Sequence, residues 1–394
     1  MRAFEADLPD IDAGLVVIGS GPAGHSAAVG YRRASGEGRV VMATADDAPP
    51  YERPPLSKDF LRGDSDEDAL WQEPPAFYSD QRIELLLGDP VVTLDPGRAR
   101  LTTGSGRTIA FARCVIATGC RPAPLPVPGA DHPGVMALRS LNHARALRDA
   151  AERSRTAVVI GSGFIGCEAA VSLAIRGLEV TMVSAEQRPQ LQRLGGSVAD
   201  RLTDWLTDAG VQLLTGVDVA EIRDGTTVVT SDGRSVVGDL VLAAAGVAPN
   251  SELAERAGLR IEDGRIVVDE HMATNCPGIY AAGDVAIAHN GAAGRSLRVE
   301  HWGEGLRMGE VAGCCAAGGS DAWAEVPGFW SQIGKRTLKY AAWGDGFDRH
   351  DLVPHDNGGF TVWYSAGGKV VGVLTHDADD DYERGRELIG YSVG

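Results

Sequence analysis

The chain has 394 residues, with 54 acidic side chains against 37 lysines and arginines and a formal net charge of −17. A charge of this sign excludes wholesale binding to nucleic acid or to an anionic membrane surface, because both are polyanions. The length exceeds that of one domain, and a 44% hydrophobic and 23% charged composition is typical of a folded α/β protein, so two or three domains are expected.

The N-terminus and the cysteines narrow the class of protein further. No run of about 18 apolar residues occurs, so we expect no membrane association. The acidic segment 1–14 lacks the basic and apolar regions of an export signal, which favours the cytoplasm. Six cysteines include no CxxC pair, so neither a disulfide scaffold nor a metal site is expected. Adjacent Cys314 and Cys315 are predicted to be unpaired helix residues.

The first predicted unit begins with an apolar run. Residues 14–19 read Gly-Leu-Val-Val-Ile-Gly, which is typical of a buried parallel strand that feeds a tight turn. An alanine-rich helix over residues 22–35 and a second strand at 39–42 complete a βαβ unit.

The turn of this unit has the GxGxxG spacing, formed by Gly19, Gly21, Pro22, Ala23 and Gly24. The first glycine permits the turn, the second lets the backbone approach a pyrophosphate, and the third allows close helix packing. The positive end of the following helix then stabilises phosphate. Alone, such a motif also fits an incidental glycine turn.

A second unit follows a Pro-rich stretch at residues 121–129, which predicts a stiff extended connection between domains. A strand at 156–161, an alanine-rich helix to about residue 176 and a strand at 179–183 repeat the βαβ pattern. The turn repeats the glycine spacing with Gly161, Gly163, Phe164, Ile165 and Gly166. Two such turns predict a flavin in one site and a nicotinamide in the other, because electrons must pass from one ring system to the other.

The composition of the sequence changes after about residue 320. Residues 360–364 and 369–374 are β-type segments, which predict a small sheet-rich third domain. Residues 379–389 carry several charges on a modest helical pattern and predict a solvated terminal helix without a role in the chemistry.

Five segments resemble one family. They are residues 50–58 (PYERPPLSK), 115–119 (VIATG), 159–168 (VIGSGFIGCE), 245–250 (AGVAPN) and 279–284 (IYAAGD). Together and in this order they resemble the FAD-dependent pyridine nucleotide reductases of the oxygenase-coupled ferredoxin reductase type, which have rubredoxin reductases and apoptosis-inducing factor as relatives. The RPPLSK element is the most specific of the five.

The resemblance implies an α/β fold with two Rossmann-like dinucleotide-binding domains, arranged as in glutathione reductase, and a small α+β C-terminal domain. Residues 1–119 and 246–320 would form the FAD-binding domain, residues 120–245 the NAD(P)-binding domain, and residues 321–394 the sheet-rich third domain.

An FAD site is implied by the residues that match the family pattern: Gly19, Gly21, Pro22, Ala23, Gly24, Asp46, Arg53, Lys58, Val91, Ala117, Thr118, Gly119, Arg121, Gly283, Asp284, His301, Trp302 and Trp330. The three glycines would hold the pyrophosphate, Val91 would lie by the adenine, and Asp284 would bind the ribityl chain. Relatives usually carry an acidic residue for the adenosine ribose near Ala45, so Asp46 is expected to substitute.

A nicotinamide dinucleotide site is implied in the same way at Gly161, Gly163, Phe164, Ile165, Gly166, Glu168, Ser184, Glu186, Arg188 and Gly246. The second strand ends at Ser184, where enzymes that use NADH commonly carry a glutamate for the ribose 2′-hydroxyl. Glu186 is close enough to serve, whereas Arg188 would meet the 2′-phosphate of NADPH. Both electron donors, NADH and NADPH, therefore stay possible at this point, and NADH is favoured.

Three residues are implied to be catalytic. Lys58 and Glu168 would pair beside the isoalloxazine, where they would help to place the nicotinamide and moderate the charge of reduced flavin. The alternative for each is a solvated surface charge. Trp330 would pack near the flavin, or serve the core alone. His301, in a Glu-His-Trp segment that leans toward apoptosis-inducing factor, would line the flavin or be a hydrogen-bonded core histidine.

The sequence lacks the redox-active cysteine pairs of disulfide reductases, and this indicates the kind of electron acceptor. The CxxxxC and CxxC pairs of disulfide reductases do not occur, so electrons are expected to pass directly from the flavin to a one-electron carrier. The expected partner is a [2Fe–2S] ferredoxin that serves a cytochrome P450 or a Rieske oxygenase. Because plant-type ferredoxins are acidic, Lys335, Arg336 and Lys339 are expected to form its docking cluster, with a solvated basic loop as the alternative.

Two other functions stay open at this point. A flavoprotein like apoptosis-inducing factor would sense NADH and act by binding a partner rather than by turnover. A reductase of rubredoxin or of a small quinone is the other alternative. The sequence leaves the oligomeric state, monomer or dimer, undecided.

Overall fold

The computed structural model describes residues 11–391, and the acidic residues 1–10, on which the expectation about export mostly rests, lie outside the described part. The first third of the chain begins with the predicted βαβ unit. Its elements are β1 (Ile11–Ile18), α1 (Pro22–Arg33), β2 (Val40–Ala43), α2 (Asp59–Arg62), α3 (Phe77–Asp80), β3 (Ile83–Leu86), β4 (Val91–Asp95), β5 (Arg100–Thr103) and β6 (Thr108–Ile116), with short 3-10 turns at Pro54–Ser57 and Glu67–Leu70.

The middle of the chain contains the second predicted βαβ unit. Its elements are β7 (Cys120–Pro122), β8 (Val135–Met136), α4 (Leu141–Arg153), β9 (Thr156–Ile160), α5 (Phe164–Ile175), β10 (Glu179–Ser184), α6 (Leu191–Leu194), α7 (Gly196–Asp208), β11 (Gln212–Thr215), β12 (Val219–Arg223), β13 (Thr227–Thr230), β14 (Ser235–Val237), β15 (Leu240–Ala243) and β16 (Val247–Pro249).

The chain then returns to the first unit before it forms the C-terminal part. The returning elements are α8 (Glu252–Arg256), β17 (Ile261–Glu262), β18 (Arg265–Val268), β19 (Ile279–Ala281), β20 (Ala286–Asn290), β21 (Arg295–Arg298) and α9 (Trp302–Ala316). The C-terminal elements are β22 (Gly328–Ile333), β23 (Arg336–Ala342), β24 (Arg349–Pro354), β25 (Phe360–Ala366), β26 (Lys369–His376) and α10 (Asp379–Tyr391).

The two βαβ units have the same strand arrangement. In the first sheet β3, β2, β1 and β6 lie side by side in that order, and in the second β11, β10, β9 and β15 do the same, with parallel pairing throughout. The strands read as continuous apolar runs because helices cover such sheets on both faces. The expectation of two Rossmann-like domains is therefore confirmed.

The first sheet is completed by a distant part of the chain. Strand β19 pairs in parallel with β6, so residues beyond 246 join the sheet that begins at residue 11. The chain crosses between the two dinucleotide units twice, and the crossings lie side by side, because β7 at the start of the Pro-rich stretch pairs with β16. This agrees with the predicted extended connection, while the domain boundaries themselves stay predictions.

The C-terminal part is the predicted small sheet domain. Strands β22, β23, β26, β25 and β24 form one antiparallel sheet. The prediction of a solvated terminal helix was wrong in part, because α10 packs on this sheet: Gly385 lies against Val373, and Ile389 is fully buried. Most of its charged residues are exposed, whereas Asp381 accepts a hydrogen bond from the buried Thr361 of β25 at 2.6 Å. Among the helices of residues 11–391, none is long and apolar enough to cross a membrane.

Helices α1 and α9 approach each other through glycines spaced four residues apart on α9. A methyl group at Gly309 would overlap the Ala23 carbonyl, and one at Gly313 would overlap the Ala27 carbonyl. Glycine is the one residue that allows backbones to come this close. The contact places the start of α9, and the His301 and Trp302 segment with it, beside the turn that precedes α1.

We expect Gly313→Ala to lower the free energy of unfolding by about 1–3 kcal/mol, because the added methyl group must push two backbones apart. Urea denaturation compares it with Gly303→Ala, on the same helix, where a methyl group meets no atom within 4 Å. The control should be neutral or slightly stabilising, since alanine favours helix. Equal destabilisation by both substitutions would contradict the close packing.

Candidate functional site

The first glycine turn has the geometry that the motif predicts. Gly19 has a φ of +108°, and a methyl group there would overlap the Ala117 carbonyl. One at Gly24 would overlap the Gly19 carbonyl, which is the predicted close packing of helix on turn. At Gly21 the space is open, and the first atom that a methyl group would meet is Nη2 of Arg53, at 3.5 Å.

Arg53 brings a positive charge to this turn, on a side chain that is half-buried. Its Nε is buried without a hydrogen-bond partner, and within residues 11–391 no carboxylate oxygen lies within 4.0 Å of its guanidinium. Burial and the neighbouring Arg139 lower the pKa of Arg53 from its usual high value. A half-buried cation without a counter-ion in contact gains from an anionic ligand. The turn, the helix start and this cation together fit the pyrophosphate of a dinucleotide such as FAD.

Asp284, the other predicted end of the first site, lies close to the same region. Its carboxylate is paired with Arg139, and its backbone carbonyl accepts a hydrogen bond from Arg265 Nε at 3.2 Å. Gly283 has a φ of +78° and packs against Ala23 in the glycine turn. Arg139 was missed in the sequence, because no motif there ties it to Asp284.

Other residues predicted to bind FAD follow β6 or start nearby elements. Ala117 to Gly119 come directly after β6, where Thr118 donates a hydrogen bond to the Asn250 carbonyl at 2.8 Å. Arg121, in β7, forms an ion pair with Glu252 at 2.7 Å. Val91 begins β4 at the edge of the first sheet, and Trp302 is the first residue of α9. Their contacts with a cofactor stay predictions.

The second glycine turn repeats the geometry of the first. Gly161 has a φ of +103° beside the Ala244 carbonyl, and Gly166 packs on the Gly161 carbonyl. Gly163 is open, and the nearest atom to a methyl group there would be Nε2 of Gln190, at 3.9 Å. Gly246, also predicted for this site, has a φ of +110° with open space around it.

Each unit also has an internal polar link that the sequence analysis missed. In the first, Ser20 donates to Thr44 Oγ1 at 3.0 Å, and this oxygen accepts from the Asp46 backbone N–H at 3.1 Å. The Asp46 carboxylate accepts a hydrogen bond from Tyr51 at 2.6 Å. The acidic residue that was expected to substitute for position 45 is thus tied to the end of β2.

The second unit has the same link. Ser162 and Ser184 share a hydrogen bond of 2.7 Å, and Ser184 Oγ accepts from the Glu186 backbone N–H at 3.2 Å. Glu186 therefore occupies the position equivalent to Asp46, at the end of the second strand. Arg188, the residue that would meet a 2′-phosphate, is instead paired with Asp200 on α7.

Lys58 and Glu168 form the predicted ion pair. Lys58 Nζ lies 2.6 Å from Glu168 Oε2, and the two side chains are 6% and 5% exposed, so neither is a solvated surface charge. The resemblance implied this pair, and the structure shows it. Its position beside a flavin stays a prediction.

The Glu168 carboxylate accepts three further hydrogen bonds. Ser57 donates to Oε2 at 2.5 Å, and Ser331 donates to Oε1 at 2.7 Å, joined by the Gln332 backbone N–H at 3.3 Å. The donors come from the Pro54–Ser57 turn and from β22, while Glu168 lies on α5. All three parts of the chain meet at one carboxylate, which we call the Glu168 junction. Ser331 was missed because nothing in the sequence connects it to a residue 163 positions away.

Trp330 lies beside this junction. Its ring centroid is 5.0 Å from Lys58 Nζ, a distance at which a cation is attracted to an aromatic face. Trp330 is 47% exposed, so core packing is not its role. An indole that contacts a buried lysine and also faces solvent can lie between a buried ring system and an approaching partner.

His301 contacts β22 at Phe329, the residue before Trp330. Its ring centroid is 4.5 Å from that of Phe329, its Nδ1 is buried without a partner, and Nε2 is 3.4 Å from Arg193. Burial first, and then Arg193, lower the pKa of His301 to about 3, so the ring is neutral near pH 7. One ring nitrogen is thus hydrogen-bonded, and both roles expected for His301, lining the flavin or serving as a core histidine, stay predictions.

The predicted docking cluster is partly neutralised. Arg336 forms an ion pair with Asp208 on α7 at 3.0 Å, and Lys339 pairs with Asp379 on α10 at 2.7 Å. Lys335 lies exposed at the tip of the β22–β23 hairpin. The acidic partners belong to elements distant in sequence, so a count of local charges overestimates the positive charge of this face.

The cysteines supply no redox pair. All six are free. Burial raises the pKa of the Cys114 and Cys120 thiols to about 12, and it also raises the pKa of Cys167. Since the thiolate is the reactive form, these three residues are inert at neutral pH.

Comparison with known proteins agrees with this geometry. A family model described as pyridine nucleotide-disulphide oxidoreductase matches residues 13–309. Rhodocoxin reductase of Rhodococcus erythropolis is 34% identical over 380 residues, covering 95% of this chain and 89% of the relative. The ferredoxin–NAD(+) reductase component of an anthranilate 1,2-dioxygenase system of Burkholderia cepacia is 34% identical over 387 residues, covering 95% and 93%.

Among solved structures, the ferredoxin reductase of the CYP199A2 system of Rhodopseudomonas palustris superimposes with a TM-score of 0.90. It is 32% identical in sequence, and the match covers 95% of this chain and 94% of that one.

We expect Glu168→Gln to lower the free energy of unfolding by roughly 3 kcal/mol or more, because it leaves the Lys58 charge buried without a partner. The matched control is Asp379→Asn, which removes a lysine pair whose side chains are 38% and 71% exposed. An exposed pair contributes at most about 1 kcal/mol. Comparable losses in urea denaturation would contradict a structural role for the Glu168 junction.

Proposed function

Because the chain belongs to the pyridine nucleotide-disulphide oxidoreductase family, we propose that it is an FAD-dependent oxidoreductase that passes electrons from NADH to a [2Fe–2S] ferredoxin serving an oxygenase. One observation carries this proposal: two open glycine turns of the same geometry lie in two units that are joined by a single buried Glu168 junction. The names of the relatives, ferredoxin reductases of a dioxygenase and of a CYP199A2 system, support it.

The choice of NADH over NADPH rests on the end of β10. Glu186 is held there through Ser184, in a position from which its carboxylate can accept hydrogen bonds from a ribose. Arg188 is engaged by Asp200, so its charge is already compensated and a 2′-phosphate would have to compete for it. A carboxylate at this position also repels a 2′-phosphate.

The residues of the chain would bind and orient the two dinucleotides. Gly19, Gly21 and Gly24 would present backbone N–H groups to the FAD pyrophosphate, and Arg53 would neutralise it. Gly161 and Gly163 would do the same for NADH. When bound, FAD accepts a hydride from NADH and releases the two electrons one at a time.

The Glu168 junction would keep the reacting region rigid and dry. Lys58 is held in one place by Glu168 and by the Pro54 carbonyl at 3.0 Å, so its charge has a fixed position beside Trp330. A fixed charge in a site without water acts on a neighbouring ring more strongly than a solvated one. Burial raises the pKa of the Cys114, Cys120 and Cys167 thiols, so these three do not compete for the electrons as thiolates.

The acceptor would dock at the exposed face of Trp330. Lys335 lies on the same hairpin, and an acidic ferredoxin would be attracted to its charge although the whole reductase is acidic. Arg336 and Lys339 would contribute less, because their partners Asp208 and Asp379 already compensate them.

The function is tested by stopped-flow spectroscopy of the purified yellow protein. We expect NADH to bleach the flavin absorption, and a [2Fe–2S] ferredoxin to restore it with stoichiometric reduction of the ferredoxin. NADPH in place of NADH should bleach the flavin more slowly at equal concentration. A persistent long-wavelength band after reduction, with no acceleration by any ferredoxin, rubredoxin or quinone, would instead favour a protein that acts by partner binding.

For the docking face, we expect Lys335→Glu to raise the KM for ferredoxin on the order of several-fold at low ionic strength, because the reversed charge repels an acidic partner. The rate with an artificial dye should not change. The control is Arg153→Glu, at the exposed end of α4. The docking role would be lost if the dye rate fell as much as the ferredoxin rate, or if both variants raised the KM equally.

A further inference from the structure

Arginines occupy corresponding positions in the two dinucleotide units, and the motifs singled out only the first of them, Arg53. Asp46 and Glu186 are equivalent, because each follows the same hydroxyl link at the end of its strand. Arg53 lies seven residues after Asp46, and Arg193 lies seven residues after Glu186. Arg53 faces the first glycine turn, so the equivalent Arg193 is expected to face the second glycine turn.

Arg193 is exposed and lies beside the second glycine turn. Its guanidinium carbon is 5.6 Å from the ring centroid of Phe164 and 5.3 Å from that of Phe329. These two rings contact each other, with centroids 4.8 Å apart. Phe164 is the first residue of α5, directly after Gly163. Arg193 is therefore placed where the helix begins and where a phosphate would lie.

The charge of Arg193 is not compensated by any neighbour. Within the described residues, no carboxylate oxygen comes within 4.0 Å of its guanidinium, and its hydrogen-bonding partner is His301, which is neutral near pH 7. Aromatic faces attract a cation but do not neutralise it. In a chain with 54 acidic residues, an arginine that rests only on rings and a neutral imidazole retains its full affinity for an anion.

We infer that Arg193 binds the pyrophosphate of the nicotinamide dinucleotide, and that it rests on Phe164 and Phe329 until the dinucleotide binds. The inference rests on the proposed function, since it takes the second turn as the NADH site. The pyrophosphate is the group concerned because Arg193 contacts the start of α5. A 2′-phosphate would lie instead at the end of β10, beside Glu186 and Arg188.

This placement gives Arg193 two alternative sets of contacts. Without a dinucleotide its guanidinium contacts the two rings and His301. On binding, the guanidinium exchanges the ring faces for phosphate oxygens, and a planar guanidinium binds these through two parallel hydrogen bonds. The ring faces are then free to contact the incoming nicotinamide. Arg193 thus acts as a binding residue and has no part in the hydride step itself.

The test measures dissociation constants of the flavin-loaded protein by isothermal titration, with NAD⁺, NADP⁺, ADP-ribose and, by competition, adenosine. We expect Arg193→Gln to weaken NAD⁺ and ADP-ribose about tenfold, in line with the loss of one hydrogen-bonded contact to a charged group. Adenosine, which has no phosphate, should bind unchanged, and the ratio of NADP⁺ to NAD⁺ affinity should stay the same. Arg193→Lys should lie between the variant and the wild type.

The matched control is Arg201→Gln. Arg201 also rests on an aromatic face, with its guanidinium carbon 5.4 Å from the ring centroid of Phe360, but it lies on α7 away from the glycine turn. Its replacement should leave all four constants unchanged.

Three results would overturn the inference: equal affinities of wild type and Arg193→Gln for ADP-ribose, a loss confined to NADP⁺, or an equal loss for adenosine, which indicates a distorted site. Failure of the wild-type protein to bind any dinucleotide would overturn the proposed function and this inference with it.

Discussion

The structure depends most on the requirement that a buried carboxylate be fully compensated. Glu168 is 5% exposed and is satisfied by Lys58 together with donors from the Pro54–Ser57 turn and from β22. Removal of any one donor leaves part of the charge unpaired in a medium where this is costly. The first unit, the second unit and the C-terminal sheet therefore have a fixed relation at this point. That relation keeps Lys58 and Trp330 together, and it connects the face where NADH would enter to the face where a ferredoxin would dock.

The second organising feature is the structural repeat of the two dinucleotide units, which extends beyond the two glycine motifs. Both units have the same strand order, the same open second glycine and the same hydroxyl link from the turn to the residue after the second strand. The link explains why Asp46 and Glu186 are equivalent although their local sequences differ. The units diverge in what the acidic side chain does next: Asp46 accepts a hydrogen bond from Tyr51, whereas Glu186 is less constrained and can serve a ribose. Similar scaffolds thus present different surfaces to two dinucleotides.

The elements that the sequence could predict are those with local causes. A continuous apolar run, a glycine at a positive φ and a helix that starts after it are coded within about thirty residues, and both βαβ units were predicted on this basis. The ion pair of Lys58 and Glu168 was implied by resemblance alone. The partners of Ser331, Arg336 and Lys339 could not be predicted, because each contact joins residues more than 39 positions apart through the packing of separate elements. The burial of Ile389 depends in the same way on packing against a sheet whose strands come from earlier parts of the chain.

In so acidic a chain, an arginine without an ion pair beside a glycine turn is a candidate for binding phosphate. Acidic side chains exceed lysines and arginines by 17, so a guanidinium near the surface has many carboxylates available, and Arg188, Arg336 and Arg121 have each found one. Arg53 and Arg193 have not, and both lie beside a glycine turn at the start of a helix. A paired arginine would have to break its ion pair before it could bind a phosphate, at a cost in affinity. An unpaired one beside a glycine turn is ready to bind a phosphate without breaking an ion pair first.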